Sequence, residues 1–182
     1  PKKLSLQDSA LIFDCRHDST SNVAHILQSQ IGVALRALKN IGLANRWRDL
    51  HFIIHENSPD YAVRLFEALA LKVIKFDGQV AGNLISMKPA FFPFRAIAGS
   101  SLREHAVDLG LLPTHHQEQE PIFIARRGRR SLENNDEISK VLKAEGYEPI
   151  YAEDMSIETQ IKKISSAAKV IAVHGAAISF LM

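Results

Sequence analysis

The sequence predicts an α/β protein made of two Rossmann-like units in tandem, the second of them incomplete. Three observations lead there. Short runs rich in Val, Ile and Phe alternate with longer stretches whose apolar residues recur every three or four positions. A polar, aperiodic stretch at residues 112–120 (LPTHHQEQE) interrupts the alternation, which then restarts. Alternating strands and helices make a parallel sheet whose connections cross over through the helices. The expected domains are therefore residues 1–112 and 113–182, and the second holds only three strand signals.

Composition bounds the rest. The chain has 182 residues, 46% hydrophobic and 23% charged, with a formal net charge of +2. Such a balance gives no general case for nucleic-acid binding, so no nucleic-acid partner is expected. The single cysteine, Cys15, excludes an internal disulfide framework. No apolar run approaches the roughly 18 residues a bilayer span needs. The chain starts at Pro1 without a Met and stops at Met182 inside an apolar segment, so both ends read as cut.

In chain order, residues 10–15 (ALIFDC) read as the first strand. A polar run, Arg16 to Ser21, leads into a helix expected over residues 22–41, with Val23, Ile26, Leu27, Val33, Ala34, Ala37, Leu38 and Ile41 on its apolar stripe. Asn22, His25 and Ser29 share another face. A His beside an Asn at a helix start is a candidate general base or acceptor-binding group, or an ordinary structural His. Residues 49–55 (DLHFIIH) are the second strand, after which Ser58-Pro59 offers an N-cap and a first-turn proline. Residues 71–76 (LKVIKF) are the third, closed by Asp77-Gly78. Residues 80–87 read as a further strand or an irregular excursion. Residues 89–95 (PAFFPFR), with two prolines among three phenylalanines, read as an aromatic loop over a cleft or a core plug. Ser101-Leu102-Arg103-Glu104 matches a capping box, whose helix would stop at Gly110.

After the polar stretch come strand 121–125 (PIFIA), a helix from Asn134–Glu137 to Gly146, strand 148–151 (EPIY), and a helix capped by Ser156 with Ile157, Ile161, Ile164 and Ala168 inward. Residues 169–179 (KVIAVHGAAIS) then turn abruptly from strand through His174-Gly175 into a second apolar run. A strand passing through Gly into a helix aims backbone N–H groups at one point, a site suited to phosphate. The plain alternative is an ordinary corner with a structural His. Ligands in open parallel sheets bind beyond the carboxyl ends of the strands. Arg126 and Arg127 end one strand and His174-Gly175 ends another, so neighbouring strands would bring forked guanidinium groups and the corner into one diphosphate clamp. Otherwise the cluster Arg126, Arg127, Arg129 and Arg130 is a solvated loop or a weak nucleic-acid contact through phosphates. No G-x-G-x-x-G, Asp-x-Asp, HExxH or CxxC pattern occurs, and the adjacent His115 and His116 read as solvated, so no metal site is expected.

Residues 122–130 (IFIARRGRR) followed by residues 134–179 resemble the C-terminal signature of glycosyltransferase family 61, the capsular-polysaccharide type. Arg126, Arg127, Asn135, Glu137, Gly146, Tyr147, Ser156, Gln160, Ala168, His174, Gly175 and Ala176 carry the likeness. Asn22-Val23-Ala24-His25 is similar to the family's Asn-aromatic-aromatic-His. Ala172-Val173 stand where the family has Gly-Pro, Ala177 where it has Gly, and Phe180 where it has Asn.

The resemblance implies a GT-B fold and an inverting, metal-independent transfer of a sugar from a nucleotide-sugar to a saccharide or lipid-linked saccharide acceptor, in surface or capsular polysaccharide synthesis. It implies no cofactor beyond that donor substrate. Donor contacts fall to Arg126, Arg127, Arg130, His174, Gly175 and Ala176; His25 is the base or acceptor contact, with Asn22 orienting it. The implied location is the cytoplasm, with peripheral association at the inner membrane face. The rival, which the departures at Ala177 and Phe180 favour, is a non-catalytic nucleotide- or phosphosugar-binding module. Oligomeric state is not readable from the sequence.

Overall fold

The computed structural model describes residues 2–85, 93–114 and 119–181; within them, residues 93–98 and Arg129 are described by backbone alone. The chain divides into two compact units, Pro1–Leu109 and Gly110–Met182. Both are α/β units with parallel sheets.

The first unit carries a four-stranded sheet in the order β4-β3-β2-β6, with every pairing parallel. Its strands are β2 (Leu11–Asp14), β3 (Leu50–Ile54), β4 (Lys72–Lys75) and the short β6 (Asn83–Leu84). Beside it, β1 (Lys3–Ser5) pairs in parallel with β5 (Gln79–Ala81). Strands covered on both faces lose the apolar–polar alternation, as β2 and β3 do: Leu11, Ile12, Phe13, Leu50, Phe52, Ile53 and Ile54 are all buried. Phe52 anchors the core, its ring centroid 5.9 Å from Phe13 and 4.8 Å from Phe66. Phe66 comes from α2 (Asp60–Ala68). Cys15, one residue beyond β2, is fully buried, and burial pushes its thiol well above the ordinary range.

Several local expectations change. The helix read over residues 22–41 is a π-helical segment, His25–Ile31, continuing as α1 (Gly32–Asn40). Gly32 N–H reaches back five residues to the Leu27 carbonyl. Ser58 does not cap α2: it is buried, and its Oγ accepts a 2.8 Å hydrogen bond from Thr20 Oγ1. The capping-box sequence at Ser101 lies inside α3 (Pro93–Asp108). Pro93, with its φ preset for a first helical position, opens that helix two turns earlier. Of the proposed aromatic loop, residues 89–92 lie outside the described residues and 93–95 are helical. The three-residue β1 and a 3-10 segment, Ala44–Asp49, lie in stretches with no readable period.

The second unit holds the parallel sheet β8-β7-β9, from β7 (Ile122–Ala125), β8 (Glu148–Tyr151) and β9 (Val170–Ala172). The central strand β7 is buried along its whole length. The helices are α4 (Asn135–Ala144) and α5 (Ile157–Ser165). Ser156 caps α5 as expected, its Oγ accepting from Thr159 N–H at 3.2 Å. Ile161 and Ile164 face inward. His115 and His116 lie outside the described residues. The polar stretch is shorter than it reads, because Gln119 already bridges to Ala167 in parallel.

Candidate functional site

Parallel pairing puts every strand's carboxyl end at the same edge of its sheet. In the second unit the register sets Ala125 beside Tyr151 and Ile124 beside Ala172. Arg126 and Arg127 therefore emerge between the residues that follow β8 and β9. The ladder runs one bond further, from Val173 N–H to the Ile124 carbonyl at 3.0 Å, which fixes where the β9 corner begins.

Arg126 joins that corner. Its Nη1 donates to the His174 carbonyl at 3.0 Å. Gly175, with extended backbone at φ 178°, lies against the same guanidinium: a Cβ there would collide with Nη1 and come within 2.9 Å of Cζ. The glycine thus admits a side chain of its own protein where the sequence reading had placed a phosphate. The expected α-helix after Gly175 is a five-residue 3-10 segment, Ala176–Phe180. So short a run carries little dipole, which leaves the Arg126 guanidinium as the positive charge at this corner. Phe180 anchors the segment: it is buried, and its carbonyl accepts a hydrogen bond from Ser165 Oγ.

Arg127 turns the other way. Its Nη1 pairs with Asp154 at 2.6 Å, its backbone N–H donates to Glu153 at 3.0 Å, and its Cζ lies 4.0 Å from the Tyr151 ring centroid. The two guanidinium groups therefore hold different partners, although both arginines line the cleft described next. Asp154, foremost by its hydrogen bond, holds Arg127 even more firmly protonated than usual. Arg130 is exposed in the 3-10 turn Gly128–Arg130 and does not line the cleft described next. His174 is exposed, and Ala176 is half-buried.

A cleft of about 580 Å³ opens beside both arginines, between the residues after β7 and the start of α4. Tyr151, Asn135 and the carboxylates Glu133, Asp136 and Glu137 line it. Asn135 is buried; its Nδ2 donates to Tyr151 Oη at 3.1 Å while Oδ1 has no partner among the described residues. The arrangement offers cations on one side and hydroxyl-accepting carboxylates on the other. Tyr151 does not stand out in the sequence, and Asn135 enters there only among the residues that carry the family likeness, not as a contact. An aromatic at a strand's carboxyl end and an Asn opening a helix were the available signals.

The first unit's edge is built differently. Arg16 grips Asp14 with Nε at 2.9 Å and Nη2 at 2.6 Å, and its Nη1 donates to the Phe76 and Gly78 carbonyls at 3.3 and 2.7 Å. Burial works to raise the Asp14 carboxyl, but the hydrogen bonds from Arg16 outweigh it and the net shift is downward. His55 donates through both ring nitrogens, to Asp77 at 2.8 Å and to the Arg16 carbonyl at 2.7 Å. The Asp77 contact leads in raising its pKa above the ordinary value, and Asp77 is lowered in return. His25 opens the π-helical segment with Nδ1 3.0 Å from Asp18 Oδ1. Asn22, expected to orient His25, instead accepts from Ala24 N–H at 2.9 Å through its own Oδ1. The group on the ring is Asp18. Among the described residues no three His, Cys, Asp or Glu side chains gather as a metal cage, and no helix is long and apolar enough to cross a membrane.

A search of curated proteins gives no match. The family model described as Glycosyltransferase 61 matches residues 24–182, from one residue before His25 through the Gly175 corner, and so takes in parts of both units. The chain belongs to glycosyltransferase family 61.

Proposed function

We propose that this chain is the nucleotide-sugar-using part of an inverting glycosyltransferase of the GT-B class, with the second unit as donor side and the first as acceptor side. One observation carries the reading. Arg126 lies at the carboxyl edge of a parallel sheet, on a glycine corner, held by a neutral carbonyl and by no carboxylate among the described residues. A diphosphate offers such a guanidinium two charged acceptors in place of one carbonyl, a stronger set of bonds. As the glycosidic bond to the departing diphosphate breaks, the developing negative charge is stabilised there. His174 and Gly175 supply further contacts on the same side. Arg127 and Arg130 reach the donor only by exchanging Asp154 or by moving from solvent, so their contributions are secondary. The carboxylates and Asn135 around the cleft suit the hydroxyl groups of the sugar or ribose.

On the acceptor side, His25 takes the hydroxyl proton of a saccharide or lipid-linked saccharide. A role in surface or capsular polysaccharide synthesis, a cytoplasmic setting at the inner membrane face, and independence from metal are extensions of this reading, the last resting on the missing Asp-x-Asp pattern.

Calorimetry with UDP-, GDP- and CMP-sugars tests it. One nucleotide class binds the wild-type chain, and Arg126→Ala weakens that binding by about 1.5–3 kcal/mol, the loss of a charged hydrogen bond. Binding that is indifferent to Arg126, or absent for every nucleotide, defeats the reading.

A further inference from the structure

We infer that Asp18 is the positioning residue that makes His25 a base, by holding a proton on Nδ1 and leaving the Nε2 lone pair outward. The inference rests on the acceptor-side role proposed above for His25. The local chain explains the geometry. Asp18 sits in the turn after β2, its N–H bonded to the Cys15 carbonyl at 3.0 Å, and its Oδ1 accepts from Ser19 N–H at 2.7 Å. That carboxylate is therefore fixed before it meets the ring. His25 is fixed from its own side: Ile26 N–H bonds the Asn22 carbonyl at 3.1 Å, and the following Ile26 and Leu27 are fully buried. The ring is part-exposed, with 36% of the His25 side chain and 23% of the Asp18 side chain accessible. Among the described residues only Nδ1 has a hydrogen-bond partner. A carboxylate accepts and does not donate, so Nδ1 carries the hydrogen.

The backbone form points to the same residue. His25 begins a seven-residue π-helical segment, a rare form that concentrates at functional sites. Within it the Ser29 hydroxyl and both Gln30 amide atoms are buried without partners among the described residues. Orphaned buried groups cost stability, and each calls for an explanation.

The step balances as follows. The acceptor oxygen bonds to the anomeric carbon, and the bond from that carbon to the donor phosphate oxygen breaks. The nucleoside diphosphate leaves with the electron pair, and the acceptor proton moves to His25 Nε2. The imidazolium, its Nδ1–H still on Asp18, later releases the Nε2 proton to solvent.

Nitrogen-15 NMR of the full chain, labelled at histidine and assigned with His25→Gln, reads the tautomer of neutral His25 without any ligand. Nδ1–H is expected in wild type and in Asp18→Glu, with Nε2–H gaining in Asp18→Asn. In parallel, hydrolysis of UDP-, GDP- and CMP-sugars is followed for the same variants. Asp18→Asn is expected to lower kcat about 10- to 100-fold with KM unchanged, Asp18→Glu to restore part of it, and His25→Gln to lose about 10²-fold or more. An Nε2–H tautomer in wild type overturns the pairing whatever the kinetics show. The expected tautomers together with full turnover by His25→Gln overturn the base role and leave Asp18 a structural partner. A wild-type chain that binds no sugar nucleotide sinks the broader functional reading, while the tautomer result still decides the pairing.

Discussion

Two carboxyl edges of two parallel sheets meet the same opportunity with different economies of charge. In the first unit the side chains close on carboxylates: Arg16 on Asp14, His55 on Asp77, and the His25 ring on Asp18. In the second unit Arg127 is likewise closed, on Asp154, but Arg126 meets only a backbone carbonyl. An arginine neutralised by a carboxylate acts as a structural tie. One held by a carbonyl keeps its charge on offer to an anion. Position at a strand end does not separate the two cases, and counter-charge does.

The contrast breaks most directly at Arg16. Arg16→Ala leaves Asp14 without its partner and two carbonyls without their donor. Unfolding free energy is expected to fall by about 2 kcal/mol in urea titrations, between the ranges for exposed and buried pairs. Arg126→Ala should leave the unfolding free energy within about 0.5 kcal/mol of wild type while weakening sugar-nucleotide binding. If Arg126→Ala proves the more destabilising, the distinction between tie and free charge is gone.

Gly175→Ala sharpens the comparison without touching a charge. The added methyl would displace the Arg126 guanidinium, a flexible side-chain end, so folding survives. Affinity for the nucleotide class that binds should drop by roughly a third to a half of the Arg126→Ala effect, about 0.5–1.5 kcal/mol. A drop larger than that of Arg126→Ala would mean that the backbone at Gly175 is itself the contact.

The smallest effect is in pH. The His55 pKa is raised in the folded chain, first by Asp77 and then by the Arg16 carbonyl. Its contribution is therefore complete below the ordinary histidine value and fades as pH rises through the higher folded value. Asp77, lowered mainly by His55, acts oppositely: its share is present above the ordinary carboxylate range and is lost as pH falls through the depressed value. Melting temperatures taken between about pH 6 and 9 should decline gently for wild type and be flatter for His55→Gln. Both groups lie near the surface, so a steep dependence would point to another titrating residue.

The strands were legible because burial on both faces writes continuous apolar runs, as in FIIH before Glu56 and IFIA before Arg126. Alternating strands and helices foretell a parallel sheet but not its order, so the adjacency of β7 and β9, on which the Arg126–Gly175 meeting depends, was only a condition of the sequence reading. Which way each arginine turns was not legible. Arg127 answers to Asp154, 27 positions away, and Arg126 to a carbonyl 48 positions away. Partners at such separations are selected by rotamer and register, which leave no local period. Asp18 was missed for a related reason, since a polar run between a strand and a helix reads as connection. The start of α3 was misplaced because a capping-box sequence also occurs mid-helix, where packing overrides it.

Cys15 gives the molecule a built-in clock. It is the chain's only cysteine, sealed at the end of β2 with its thiol held in the unreactive form. Alkylation must wait for the β2 end to open, because the thiolate is the reacting species and burial both disfavours it and closes the path to it. The modification rate therefore times the breathing of one unit while the other stays silent, and a sugar nucleotide that slows it would reveal that the two units feel each other.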